Sequence, residues 1–281
     1  MNTCLRLWFA LCLSFFMLAA QAKNTLQNSI EPILQRGELR IAMYQHDTPP
    51  FYFTQDNTLT GLDVELMQGF ANHLGIPARF LRQARTLNEA IQMVEEGKAD
   101  IAICKLSITF NRAQKVLFTK PYIRLRKALL INRVLLQKQQ GKRSKYEAIQ
   151  TLEGKLAVIG NSSYEDYAKQ RFVHMEIVPY PTWQDAVNAV RQQQVVAAFR
   201  DEVEIKKVIV DNNNDAVNVM TVVLDNDFDN KGIAVSREAG YLKYLLELYM
   251  DNLNLELTAN RVLFDYPKLI EHIHRNQLKE D

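Results

Sequence analysis

The sequence predicts an α/β chain of two similar lobes, and three observations carry that prediction. Short apolar runs alternate with segments whose apolar residues recur at helical spacing through most of the chain. The strand, helix, strand order that begins at Leu39 returns from Leu152 onward, and a hydrophilic stretch over 135–146 stands between the two. Such an order folds as a parallel or mixed sheet covered by helices.

The elements follow in order. Residues 23–38 read as a polar leader and a short helix, and 39–43 alternates as a first strand that Pro49-Pro50 ends in a loop. Phe51-Tyr-Phe53 then supplies an aromatic cluster that can line a cleft or fill a core. In 63–74 the residues Val64, Leu66, Met67, Phe70, Ala71 and Leu74 mark one helical face, closed by Gly75. A strand over 76–81, a helix over 85–96 and a buried strand over 99–103 complete this half. Residues 127–131 form a strand entering the second half. There 155–159, 175–180 and 195–199 are strands, while 164–170 begins a helix and 182–193 and 203–210 are helices. A strand over 217–224, a loop over 225–231, a strand over 232–236, a helix over 241–253 and a solvated terminal helix through His272-Ile-His274 finish the chain.

Composition narrows the function classes. Residues 1–22 hold Arg6, an apolar run over 7–20 and Ala20-Gln21-Ala22, which is a secretory signal cleaved after Ala22 and too short for a permanent span. The expected location is the periplasm, or otherwise outside the cell. Cys4 and Cys12 leave with the signal, so Cys104 remains as a small buried hydrophobe with no disulfide partner. A net charge of +2 argues against nucleic acid. Asp225, Asp227 and Asp229 alternate, but Phe228 and the missing distal glutamate argue against a calcium loop, and no metal or cofactor is expected.

The site candidates lie where strands end. Cys104 to Arg112 is an apolar run closing in hydroxyls, with a guanidinium a few residues on. Ser107, Thr109 and Arg112 can hold a small anion through hydroxyls and a two-donor fork, or they can cap a helix and face solvent. Ser162 and Ser163 offer a second helix start, able either to cap or to bind a carboxylate. Asp201 and Glu202 can meet a cationic group or begin the helix that follows.

Several short stretches, each weak alone, agree in order and spacing: Gly37-Glu-Leu-Arg-Ile-Ala, Pro50-Phe-Tyr-Phe, Leu59-Thr-Gly-Leu-Asp-Val-Glu-Leu, Gly97-Lys-Ala-Asp, Leu106-Ser-Ile-Thr-x-x-Arg, Phe118-Thr-Lys-Pro-Tyr, Leu152-Glu-Gly-Lys and Ser162-Ser-Tyr-Glu-Asp-Tyr. Through them the span 37–235 resembles the periplasmic amino-acid-binding proteins of ABC importers, extracellular solute-binding proteins of the polar amino-acid type. The resemblance implies a periplasmic-binding-protein-like type II fold, two α/β lobes joined by two crossover strands. Lobe one would be discontinuous, 23–124 and 225–281, with 125–224 as lobe two.

It also implies a monomer that captures an amino acid or organic acid between closing lobes for an ABC permease, without enzymatic chemistry. Arg112 would clamp the ligand carboxylate with Ser107, Ser162 and Ser163. Asp201 would take the ammonium, and Tyr44 and Phe51 would wall the side-chain pocket. The chain departs from the family at Cys104 and Lys105, where small residues are common, and at Asn161, where glycine is frequent. A Lys105 directed into the cleft would repel an ammonium or favour an anionic group; directed outward, it would change nothing. Two alternatives accompany this reading: a ligand sensor of the same fold that serves no transport, and a secreted cyclohexadienyl or arogenate dehydratase, for which Lys105 and Glu202 are the residues to inspect.

Overall fold

The structure, a computed structural model, describes residues 30–277, and the signal segment lies outside the described residues. Helix α1 (Glu31–Arg36) ends at Gly37 and places Ile33 in the core. Strand β1 (Leu39–Tyr44) follows, then the hairpin β2 (Phe53–Gln55) and β3 (Thr58–Thr60), and helix α2 (Leu62–His73). Next come β4 (Ala78–Ala84), α3 (Leu87–Glu95), β5 (Ile101–Ala102), α4 (Phe110–Ala113) and β6 (Leu117–Phe118). Among the described residues, the first sheet has the order β4-β1-β5, then β12 (Ala234–Val235) and β6; β1 runs parallel to β4 and β5, and β12 antiparallel to β5 and β6.

The second lobe starts on β7 (Ile123–Asn132), followed by α5 (Arg133–Gln140), α6 (Lys145–Gln150), β8 (Lys155–Ile159) and α7 (Ser163–Arg171). Strand β9 (Glu176–Tyr180), α8 (Trp183–Arg191), β10 (Ala197–Asp201), α9 (Glu202–Asp211), α10 (Asp215–Asn218) and β11 (Val219–Lys231) complete it. The second sheet runs β11-β7-β10-β8-β9. The two α/β lobes joined by crossover strands are therefore present, and the long antiparallel pair β7 and β11 makes the passage.

Three expectations change. Residues 225–231 are the second half of β11, paired from Phe228↔Arg126 to Lys231↔Ile123 beyond a register shift. The run of Asp and Asn reads as loop because it is polar, yet Asn226 takes the left-handed break at φ 57° and Lys127 and Arg171 neutralise Asp227. Within 135–146, Asn132 and Ser144 cap α5 and α6, giving helices where the polar composition predicted a surface excursion. The tail is packed as well. After α11 (Gly240–Leu253) and α12 (Ala259–Phe264), helix α13 (Tyr266–Gln277) lies on α2 with Leu269 and Ile273 fully buried, and His274 Nε2 meets Glu65 Oε2 at 2.7 Å.

Gly61 joins the aromatic loop to α2. At φ +127° a Cβ would stand 2.3 Å from the Phe51 carbonyl oxygen, while Leu62 and Asp63 donate their N–H groups to the Pro50 and Phe51 carbonyls. Those bonds hold backbone against backbone, so nothing flexible can yield. Gly61→Ala is expected to destabilise the protein by more than about 1 kcal/mol, read as a lowered thermal midpoint by circular dichroism; an unchanged midpoint would contradict the tight docking.

Candidate functional site between the lobes

The buried strand β5 delivers the chain to Cys104 and Lys105 at the lobe boundary. Lys105 adopts φ 55°, held there by its N–H donating to Asp63 Oδ2 at 3.1 Å. Its side chain enters the cleft. Nζ lies 2.9 Å from Asp201 Oδ2 and 2.5 Å from Glu204 Oε1, both of lobe two, and 4.7 Å from the centre of the Phe51 ring. The ring is fully buried beneath the cation.

A second cluster adjoins the first. Ser107 Oγ donates to Asp229 Oδ2 at 2.8 Å and accepts from Lys231 Nζ at 3.0 Å and from Ser163 Oγ at 2.8 Å. Lys231 Nζ also bonds Asp229 Oδ2 directly. Asp229 and Lys231 are two apart on a strand, so both side chains leave the same face. Ser162 stands at the N-cap of α7, but its hydroxyl donates to the Ile159 carbonyl at 2.6 Å rather than to the helix. The space left among these groups is about 10 Å³, room for one water at most.

Electrostatics follow from burial. Burial alone would raise the Asp201 carboxyl, but Lys105, Lys231 and Arg200 outweigh it and hold the group at about 2. Burial presses the Lys231 ammonium down and Asp229 opposes it. Burial also pushes the Cys104 thiol up to about 12, which suits an inert small hydrophobe and not a nucleophile.

The structure brings Lys105, Ser107, Ser162, Ser163 and Asp201 together, with Phe51 as the floor. Tyr44 borders the cluster and donates its hydroxyl to the Pro181 carbonyl at 3.2 Å, a further bond across the lobes. Arg112 stands behind Ser107. Its Nη1 donates to the Ser107 carbonyl at 3.0 Å, and Nε and Nη2 share Asn88 Oδ1. Thr109 caps α4 by accepting from Arg112 N–H. Asp201 caps α9 and also meets the Lys105 ammonium of the chain itself. Glu202 is taken up by Arg126 and Lys206, which leaves its oxygens no part in cleft chemistry.

Sequence reasoning missed Glu204, Asp229 and Lys231. The first had a legible signal, one helical turn beyond Asp201. The other two were hidden by reading their strand as a loop.

Residues 39–142 match the model of bacterial extracellular solute-binding proteins, family 3. A putative ABC transporter arginine-binding protein 2 of Escherichia coli is 25% identical to this chain over 194 residues, 68% of this chain and 74% of the relative. Membrane-bound lytic murein transglycosylase F 1 of Alkalilimnicola ehrlichii is 30% identical over 189 residues, 67% of this chain. The chain spans about a third of the length of that relative, 35% of it. Among solved structures, the amino acid ABC transporter substrate-binding protein AbpA of Streptococcus pneumoniae, bound to L-arginine, superposes with TM-score 0.70 at 22% identity, over 89% of this chain and all of that one. The ancestral amino acid-binding protein AncCDT-1, a precursor of cyclohexadienyl dehydratase, gives 0.69 at 22% identity, over 85% of this chain and 98% of its own. These likenesses establish the two-lobed fold, and the family matched is one of binding proteins. The family matched over 39–142 is one of extracellular proteins.

Proposed function

We propose that this protein is a family 3 solute-binding protein and the binding component of an ABC-type importer, reaching the periplasm after signal cleavage near Ala22 and capturing a small carboxylate-bearing ligand, an amino acid or organic acid. One observation supports it above the rest: Ser107 from lobe one and Ser163 from lobe two meet at 2.8 Å at the carboxyl ends of β5 and β8, the sheet edge where ligands of open α/β folds collect. Lobe opening would expose those hydroxyls and the amino terminus of α7 to a carboxylate. The amino-acid-binding relatives support the ligand class. Heat of binding measured against the twenty amino acids and common organic acids tests the reading, and silence across the whole set would sink it. Arg112→Ala, which removes both the guanidinium and the support of the Ser107 carbonyl, is expected to weaken binding by about 2–5 kcal/mol; an unchanged affinity would remove Arg112 from the site.

A ligand sensor without transport is the second reading, and Lys105 favours it. Its ammonium sits on the carboxylate that would receive a ligand's own ammonium, so an ordinary amino acid must first displace a residue of the chain. Ligand-dependent uptake, or permease and ATPase genes beside this one, would decide for import. Turnover of arogenate or prephenate would decide for the dehydratase alternative.

A further inference from the structure

The pole of the second lobe that faces away from the cleft carries a charge that its own residues do not balance. Asn132 ends β7 beside Val219, the start of β11, and Ile131 pairs with Ala197, the start of β10. The starts of β8, β10 and β11 therefore gather at the far end from Ser163 and Asp201, and α5 packs there against both α6 and α10. Residues 133–150 hold five cations, Arg133, Lys138, Lys142, Arg143 and Lys145, against the single acid Glu147, a local net charge of +4 where the whole chain has +2. We infer that this pole is a docking surface for the anionic phospholipid headgroups of a bilayer. It does not depend on the ligand reading given above for the cleft.

Among the described residues, no ion pair reaches Lys138, Lys142 or Lys145, and all three are exposed. Arg143 donates to the Gln139 and Gln140 carbonyls and, at 2.6 Å, to the Thr151 hydroxyl, while Arg133 donates to the Val219 carbonyl at 3.0 Å. These neutral acceptors hold the guanidinium groups in place without cancelling their charge. Glu147 is engaged in the capping box of Ser144, and counting Glu153 beyond it still leaves three cations in excess. Acids elsewhere on the lobe have their own partners, Asp215 with Arg191 at 2.6 Å and Glu176 with Lys155 at 3.7 Å. Lysines of the first lobe behave differently: Lys98 lies 2.5 Å from Glu96, Lys115 3.7 Å from Glu95 and Lys268 3.5 Å from Asp265. Apolar groups stand among the free cations. Tyr146 of α6 is 73% exposed, and Val134 of α5 and Val217 of α10 are exposed with it. Each basic residue near an anionic bilayer strengthens adsorption roughly fivefold, and a tyrosine ring favours the headgroup layer. Lysines on flexible stems suit phosphates that rearrange beneath them, whereas an acidic protein face would have to match fixed positions. A bilayer against this pole leaves the cleft, at the opposite end, open to solvent.

Vesicle sedimentation tests the surface on the exported protein freed of residues 1–22, with phosphatidylglycerol and phosphatidylcholine in equal parts and with phosphatidylcholine alone. The wild type should sediment with the anionic vesicles at low salt, stay in solution with the neutral ones, and be released as the ionic strength rises to about 0.5 M. Lys138→Gln, Lys142→Gln and Lys145→Gln combined should weaken anionic binding about a hundredfold, and Tyr146→Ser alone should weaken it several-fold. Removing the same charge from the first lobe, by Lys98→Gln, Lys115→Gln and Lys268→Gln combined, should leave binding nearly unchanged. Thermal midpoints separate lost binding from lost folding, and the single lysine variants, each weaker by about fivefold, carry the test should a triple variant fail to fold. Failure to sediment with anionic vesicles overturns the proposal, as does equal binding to the neutral ones or equal loss in the two triple variants. Binding of poly-L-glutamate that requires the three second-lobe lysines, in a protein indifferent to vesicles, overturns it as well and assigns the pole to an acidic protein.

Discussion

Lys105→Met is expected to destabilise the folded protein by about 3–5 kcal/mol, because it removes one partner of a buried ion cluster and leaves two carboxylates without their cation. Asp201 is wholly buried and Glu204 nearly so, and both direct an oxygen at Nζ within 2.9 Å. Methionine matches the length of lysine, so packing over Phe51 survives and the loss reports charge. Urea unfolding at pH 7 measures it. Adding Glu204→Gln to Lys105→Met should return part of the stability, giving a coupling energy between the two positions. A single variant within about 1 kcal/mol of wild type would show that water or rearrangement replaces the ammonium at little cost.

The same contacts bear on lobe closure. Lys105 belongs to the first sheet's edge and its partners to the second lobe, and Tyr44–Pro181 and Ser107–Ser163 cross the same boundary. Val203 of α9 is buried in the core of the first lobe, which adds an apolar clasp. The chain thus supplies from its own residues an ammonium and a carboxylate, Lys105 and Asp229, at the boundary between the lobes. Loss of Lys105 should therefore loosen closure as well as folding, seen as a larger radius of gyration in solution scattering.

Most of the fold was legible because it rests on patterns that a chain must display. The helical face of 63–74, the strand at 155–159 and the helix over 182–193 emerge within a residue or two of expectation. What stayed hidden depends on partners distant in sequence. The strand over 225–231 is polar, and only its ladder with β7 makes it extended. The hydroxyls, the acid and Lys105 could be placed at one edge, whereas the direction of the Lys105 side chain turns on its left-handed backbone and on Asp63, forty-two residues earlier. Arg112 shows the same limit from the other side. Its spacing from Ser107 suits a clamp, but Asn88 and the Ser107 carbonyl claim its donors.

Stability should fall as pH rises from about 4 to about 7, and Asp63 is the reason. Burial of this carboxyl, fully enclosed at the start of α2, lifts it from 3.8 to about 7 against the opposing bonds from Tyr122 Oη–H at 3.1 Å and Lys105 N–H. The native state keeps the proton where the unfolded chain has released it. Protons bound therefore favour the native state throughout that window, and the favourable contribution is complete below 3.8 and gone once the pH passes 7. The slope is at most about 1.4 kcal/mol per pH unit, for a total on the order of 4 kcal/mol. Asp201, held at about 2, has the opposite sign and loses its contribution only as the pH falls below the ordinary carboxylate range, so it leaves this window clear. Urea midpoints at half-unit steps between pH 4.5 and 7.5 should slope downward in the wild type and flatten in Asp63→Asn, which keeps an oxygen for Tyr122 and cannot ionise. Parallel slopes in the two proteins would show that Asp63 titrates in the ordinary carboxylate range and that the Lys105 loop is anchored by a charge rather than by a shared proton.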